Sequence, residues 1–167
     1  MVEKLKTAIK ELQKIKEFKD FKKKNPKAYL ASCVVIVDGK NVGDWQVDFY
    51  IPKKHKMATF VLKDKVELKG EDDIFQKEKA EVEELELSSV KIDLNKMLKL
   101  LEDLRKEKYP GDFPNKIIVV LQKFKNNMIW NVTCLTTTLK ILNVKFDAKG
   151  GNVLEDKIEN VFSLKAS

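Results

Sequence analysis

Charged and apolar residues alternate with a helical period at the start of the chain. Apolar residues recur at steps of three and four positions between Val2 and Phe18, with lysine and glutamate at most positions between them. This spacing places the apolar side chains on one face of an amphipathic helix. We expect the helix to end before Asn25-Pro26, because proline lacks an amide donor and restricts the residue before it.

Strand patterns follow this helix. Residues 29–37 are almost continuously apolar, which predicts a strand covered on both faces. Asp38-Gly39 has the composition of a hairpin turn. Residues 45–51 then alternate apolar and polar side chains, so this strand should bury one face only. Residues 57–62 predict a third strand.

A helix followed by strands returns in the second part of the chain. Asp93 is a favourable N-cap residue, and the apolar stripe after it predicts a second helix. Residues 117–121 form another apolar run, and residues 130–134 again alternate apolar and polar side chains. The succession of helix, doubly apolar strand and one-sided strand therefore occurs twice.

The two tryptophans support a duplication. The offset that separates Trp45 from Trp130 also superposes Val34 on Val119. The same offset aligns two further pairs, Ile36 with Leu121 and Val47 with Val132. A slip of one residue would exchange the two faces of a strand, so this alignment predicts matching buried faces. We expect an α+β protein made of two units, each a helix plus a three-stranded antiparallel sheet.

The predicted units divide the chain at an acidic stretch. Residues 1–70 form the first unit, residues 71–87 an acidic linker, and residues 88–167 the second unit. A chain of 167 residues suits one domain. The units therefore either share one sheet within a compact domain or lie side by side, and the acidic stretch could also cover a basic surface of the molecule.

Short motifs of the second unit resemble the PepSY domain family. Trp130-Asn131-Val132 matches the W-x-V start of that family's middle strand, and residues 147–154 match its closing D-A-x-x-G-x-V-L. Gly150 stands where the family usually has threonine. The first unit keeps Trp45-Gln46-Val47 but only Asp64 of the closing motif. The resemblance implies a cystatin-like fold and a non-catalytic role. Family members occur in protease propeptides and cell-surface proteins, mostly outside the cytoplasm, and are proposed to restrain peptidases.

Composition narrows the classes of partner. The 33 basic residues exceed the 26 acidic ones and give a net charge of +7, which raises the question of nucleic acid. However, Arg105 is the single arginine, and the forked guanidinium is the group that reads bases and phosphates best. Nucleic-acid binding is therefore disfavoured. The abundance of lysine and glutamate also resembles proteins from hot environments.

Catalytic and metal sites find little support. His55 is the only histidine, and it lies among lysines that would repel a cation. The two cysteines, Cys33 and Cys134, lie far apart in apolar stretches, which predicts buried free thiols. We therefore expect no cofactor, no metal and no enzymatic activity.

Two groups of residues are candidate sites. Trp45 and Trp130 are predicted to be core anchors or, alternatively, the walls of an apolar pocket between helix and sheet. The basic surface candidates are Lys19, Lys22, Lys23, Lys24 and Lys27, which interleave with Phe18 and Phe21 and could bind RNA or an acidic membrane. The alternative is a solvated helix end whose phenylalanines face the core.

The sequence thus predicts a non-enzymatic binding or interaction protein. Its partner would be another polypeptide, such as a peptidase that it modulates or a protein that it scaffolds, bound along a sheet edge or hairpin tip. The alternatives are a small apolar ligand or weak lysine-mediated nucleic-acid binding. No apolar run approaches the length of a membrane span, and the start of the chain lacks the apolar segment of a signal peptide. These features predict a cytoplasmic protein, whereas the resemblance implies an extracytoplasmic one.

Overall fold

The computed structural model describes residues 2–73 and 82–164, and it shows an α+β fold with one antiparallel sheet. The helices are α1 (Val2–Leu12), α2 (Lys16–Lys24), α3 (Leu94–Lys108) and α4 (Val161–Leu164). The strands are β1 (Tyr29–Asp38), β2 (Asn41–Val42), β3 (Trp45–Ile51), β4 (Lys56–Leu62), β5 (Glu67–Asp73), β6 (Pro114–Phe124), β7 (Asn127–Thr136), β8 (Lys140–Asp147) and β9 (Val153–Asn160).

The strands form a single sheet in the order β5-β4-β3-β1-β6-β7-β8-β9, with β2 paired to β1. Its centre is the antiparallel β1–β6 pair, where Val35 lies opposite Val119. In each half of the chain, a helical segment is followed by four long strands, each of which pairs with the next. These strands are β1, β3, β4 and β5 in the first half and β6, β7, β8 and β9 in the second. The described strands of both halves therefore belong to one sheet.

The prediction of three strands in each unit is wrong. β5 and β9 each add an edge strand, and β5 extends to Asp73 by pairing with β4, with Ala58 opposite Glu71. The predicted boundary at residue 70 therefore cuts through a strand. Both edge strands are rich in acids and lysines, which is a common way to protect an exposed sheet edge from pairing with another chain.

The first helix is also interrupted. α1 ends at Leu12 and α2 begins at Lys16, with tight backbone hydrogen bonds from Lys14 to Glu11 and from Ile15 to Leu12 at the join. α2 then buries two phenylalanines against the first half of the sheet. They join an aromatic cluster of Phe18, Phe21, Phe49 and Phe60, with ring centroids 5.1 to 6.1 Å apart.

Among the described residues the helices cover one face of the sheet, and residues of β1 on the other face are partly exposed, which contradicts the prediction of central strands covered on both faces. In β1, Cys33 and Val35 are buried, whereas Ile36 on the other face is 39% exposed. The superposition of Val34 on Val119 is off by one position. Val47 pairs with Cys33 and Val132 with Val119, so Cys33 is the counterpart of Val119.

The start of α3 follows the prediction. The Asp93 carboxylate accepts a hydrogen bond from the backbone N–H of Lys96 at 2.8 Å, as expected of an N-cap. The backbone N–H groups of Lys91 and Ile92 both donate to the Ala148 carbonyl. In the turn that follows β8, a side chain at Gly151 would approach Leu100 of α3 to 3.1 Å, and Gly151 has φ +83°. Glycine is required there for both reasons.

Part of the predicted acidic linker packs against the fold. Leu85 is buried and donates its N–H to the Leu30 carbonyl at 2.8 Å. The Glu86 carboxylate lies 3.2 Å from the Lys123 ammonium. Residues 74–81 of the predicted linker lie outside the described residues. Its described end is thus held by one apolar anchor beside an ion pair.

Candidate functional site

The two tryptophans lie on β3 and β7, the strands that flank the central pair, and both face the helices. Their ring centroids are 6.4 Å apart and their planes are inclined by 50°. Trp130 is 1% exposed, whereas Trp45 is half-buried. The fold therefore brings together two residues that are distant in sequence, with one ring fixed in the core and the other at its margin.

A pocket of about 360 Å³ opens beside this pair, between α1, α3 and the sheet. Its walls are almost entirely apolar. They are formed by Lys4, Leu5, Ala8, Val42, Trp45, Leu62, Leu94, Leu121 and Trp130. The indole N–H of Trp130 donates to the Ile92 carbonyl at 2.9 Å, so this wall needs no hydrogen bond from a ligand.

Lys4 is the charged member of the pocket wall. Its side chain is exposed, and no carboxylate lies within ion-pair distance of it among the side chains that the structure describes, those of residues 3–72 and 82–162. An unpaired cation at the edge of an apolar pocket favours a ligand with an acidic group. The pocket can thus bind an apolar body and orient one negative charge.

The predicted basic surface is only partly gathered into one place. Lys19 and Lys23 are exposed on α2, and the Lys22 ammonium donates to the Ala28 carbonyl. Lys24 and Lys27 line a cleft of about 810 Å³ between the end of α2 and the turn from β3 to β4. Phe18 and Phe21 are each 5% exposed, so the aromatic part of the predicted nucleic-acid surface faces the core.

The other wall of this cleft was not predicted from the sequence. It is formed by Lys53 and Lys54, which lie in the turn that carries His55. His55 is exposed with φ 52°, and its Nδ1 lies 2.8 Å from the Tyr50 hydroxyl. The one signal in the sequence was the three lysines among residues 53–56. Their place beside α2 depends on the pairing of strands in the sheet, which local patterns do not predict.

The cysteines are buried free thiols, as predicted. Burial raises the pKa of Cys134 to about 12, and it raises the pKa of Cys33 still further with help from the nearby Asp48 carboxylate. Such thiols are poor nucleophiles at neutral pH. In the part of the chain that the structure describes, no group of three or more histidine, cysteine or carboxylate side chains could hold a metal.

Two carboxyl groups of the second half, those of Asp156 and Asp112, have a lowered pKa because of structural contacts. The Tyr109 hydroxyl donates to Asp156 at 2.6 Å, which lowers the pKa of that carboxyl and raises the pKa of Tyr109 to about 12. The Asp112 carboxyl has a lowered pKa because it accepts a hydrogen bond from Thr138 and lies beside Lys140. Neither pair lines the pocket beside Trp45 and Trp130 or the cleft between the end of α2 and the β3–β4 turn.

Comparison with known proteins establishes the fold alone. No family profile matches the chain, and no curated protein matches it. A crystal structure of a "putative lipoprotein" from Clostridium difficile 630 is similar, with a TM-score of 0.51 and 16% sequence identity over 86% of this chain and 90% of that one. The two chains therefore share their overall α+β arrangement over most of their lengths.

No helix in the described segments is long and apolar enough to cross a bilayer.

Proposed function

We propose that this protein is a non-enzymatic binding protein that holds a small amphipathic molecule against its two tryptophans. The observation that carries the proposal is the 360 Å³ apolar pocket bounded by Trp45 and Trp130. Pockets for small ligands have this size and this predominantly apolar lining. The described residues of the pocket wall are eight apolar residues and Lys4.

The walls define the chemistry of the ligand. The two inclined indole rings present both faces and edges to an aliphatic or aromatic body. Lys4 provides the one charge of the wall and suits a carboxylate or a similar acidic group. A saturated fatty acid of medium chain length, such as decanoate, combines these features and is the probe of choice.

A filling substitution tests the pocket directly. Ala8→Phe places a ring in the space beside Trp45 without removing a contact, so we expect decanoate binding to weaken at least tenfold by calorimetry. The matched control is Thr7→Phe, which adds the same side chain on the exposed face of the same helix and should leave binding unchanged. Equal affinity for wild type and Ala8→Phe would refute the pocket as the binding site.

The scaffold that carries the pocket is proposed to be an internal duplication related to PepSY and cystatin-like domains. Three features support it: each half orders a helical segment before four strands, Trp45 and Trp130 take matching positions, and Asp147 closes the turn after β8. Asp64 lies two residues after the end of β4, near the place that Asp147 has at the end of β8. The extra fourth strand in each half departs from the three-stranded unit. This kinship would favour a peptidase as the polypeptide partner, with this protein restraining the activity of the peptidase.

A further inference from the structure

We infer that the lysine cleft, formed by residues 24–28 and 51–54, binds an acidic segment of another polypeptide. This site is separate from the tryptophan pocket, and the two share no lining residue. Its volume of about 810 Å³ exceeds that of the pocket and is large enough for several side chains of a bound chain. One wall follows α2 and the other is the turn from β3 to β4.

The cleft is rich in uncompensated positive charge. Four of its residues are lysines: Lys24, Lys27, Lys53 and Lys54. Lys54 lies 3.4 Å from the Glu71 carboxylate, but the other three have no ion-pair partner among the side chains that the structure describes, those of residues 3–72 and 82–162. Converging ammonium groups raise the local concentration of an anionic partner. Charge complementarity therefore requires an acidic occupant.

The floor of the cleft is apolar and ordered. Ile51 is 2% exposed and Ala28 3%, and Pro26 and Pro52 flank them. The Asn25 side-chain amide donates to the Phe21 carbonyl at 3.0 Å, and the Ala28 N–H donates to the Asn25 carbonyl at 3.1 Å. These bonds fix the loop after α2 before any partner binds. A partner should thus combine carboxylates with at least one apolar side chain.

A polypeptide fits these walls better than a nucleic acid. Base binding relies on exposed aromatic rings for stacking, but Phe18, Phe21 and Tyr50 are all buried. The cleft also lacks arginine. The chain already contains the proposed kind of contact, because buried Leu85 sits beside Glu86, whose carboxylate pairs with Lys123. An acidic segment with an apolar residue would repeat that arrangement in the cleft.

Charge reversal in the full chain tests the inference. The variant Lys24→Glu, Lys27→Glu, Lys53→Glu removes the three unpaired cations, and it should weaken binding of poly-L-glutamate at least tenfold. The matched control reverses three exposed lysines of α3, namely Lys96→Glu, Lys99→Glu and Lys106→Glu. It has the same net charge and should lose less than threefold. Circular dichroism shows whether both variants fold.

Each outcome decides between readings. Selective loss in the cleft variant, with weaker binding of single-stranded oligonucleotides than of poly-L-glutamate, supports the inference. Equal losses in the two variants would show that net charge alone attracts the polymer and would overturn it. Tighter binding of oligonucleotides through the same three lysines would assign the cleft to nucleic acid instead. No binding of poly-L-glutamate at low salt would also overturn the inference.

Discussion

At the scale of single residues, the two tryptophans line the same pocket but differ in their burial. Trp130 is held in the core, and its indole N–H is satisfied by the Ile92 carbonyl. Trp45 is half-buried and lies at the margin of the pocket. A ring that is fixed in the core therefore faces a ring that is partly exposed at the edge of the pocket.

Both thiols should be unreactive in the folded protein. Cys33 and Cys134 are each fully buried, and burial raises the pKa of both. We expect a disulfide reagent such as dithiobisnitrobenzoate to label neither residue at pH 7 within the time that labels a free thiol, and to label both after unfolding in urea. Fast labelling of one thiol in the native protein would contradict this burial.

At the scale of elements, the end of α3 is fastened to the edge strand β9. Lys108 and Tyr109 both contact the Asp156 carboxylate, the first at 3.0 Å and the second at 2.6 Å. Arg105 is buried in the same helix and lies 2.7 Å from Glu102 while also donating to the Pro110 carbonyl. Polar contacts thus fix the helix where the apolar stripe ends.

This fastening predicts a pH dependence. The pKa of Asp156 is lowered first by the Tyr109 hydrogen bond, so the carboxylate stabilises the fold above the unfolded pKa, and this stabilisation is lost as the pH falls through the folded pKa. Asp156→Asn should lower the free energy of unfolding at pH 7 by about 1–3 kcal/mol. The difference from wild type should shrink at pH 3, as measured by urea denaturation.

The tyrosine provides an independent readout of the same contact. Its pKa should fall from about 12 toward an ordinary value near 10 in Asp156→Asn, as followed by ultraviolet absorbance. Asp103→Asn, an exposed change on the same helix, is the control and should alter neither quantity. An unchanged tyrosine titration in Asp156→Asn would show that the contact does not form in solution.

Sequence reasoning succeeded where a local rule determines the structure. The Asp93 cap depends on the chemistry of one residue, and the alternation in β3 and β7 depends on one face being buried. The strands β5 and β9 were not predicted, because these acidic edge strands lack the alternation of apolar and polar residues. Sequence reasoning also misassigned the faces of β1, where β-branched residues on both sides hide which side faces the helices.

The two candidate sites depend on the sequence in different ways. Shared strand parity predicted that Trp45 and Trp130 face the same way, and the alternative prediction of an apolar pocket beside them followed from the expected cystatin-like sheet. The lysine cleft could not be predicted, since Lys53 and Lys54 meet Lys24 and Lys27 only through the pairing of β3 with its neighbours. Long-range sheet register decides such meetings, and short-range patterns carry little information about it.

At the scale of the whole molecule, the β1–β6 pair makes one sheet from two similar halves. Seven residue pairs join these strands, from Ser32 opposite Gln122 to Asp38 opposite Lys116. The tryptophan pocket lies where helices of both halves approach this junction, because α1 and α3 each supply a wall. Ligand binding there would therefore involve both halves at once, whereas the lysine cleft belongs to the first half alone.

The most direct measurement of the proposed function is a titration of the ¹⁵N-labelled protein with decanoate, followed through the two indole N–H resonances. If decanoate occupies the tryptophan pocket, both resonances should shift saturably and together, and the resonance of half-buried Trp45 should move further. Ala8→Phe should abolish the shifts, whereas Thr7→Phe should preserve them. Indole resonances that stay fixed up to the solubility limit of decanoate would show that the pocket does not bind it.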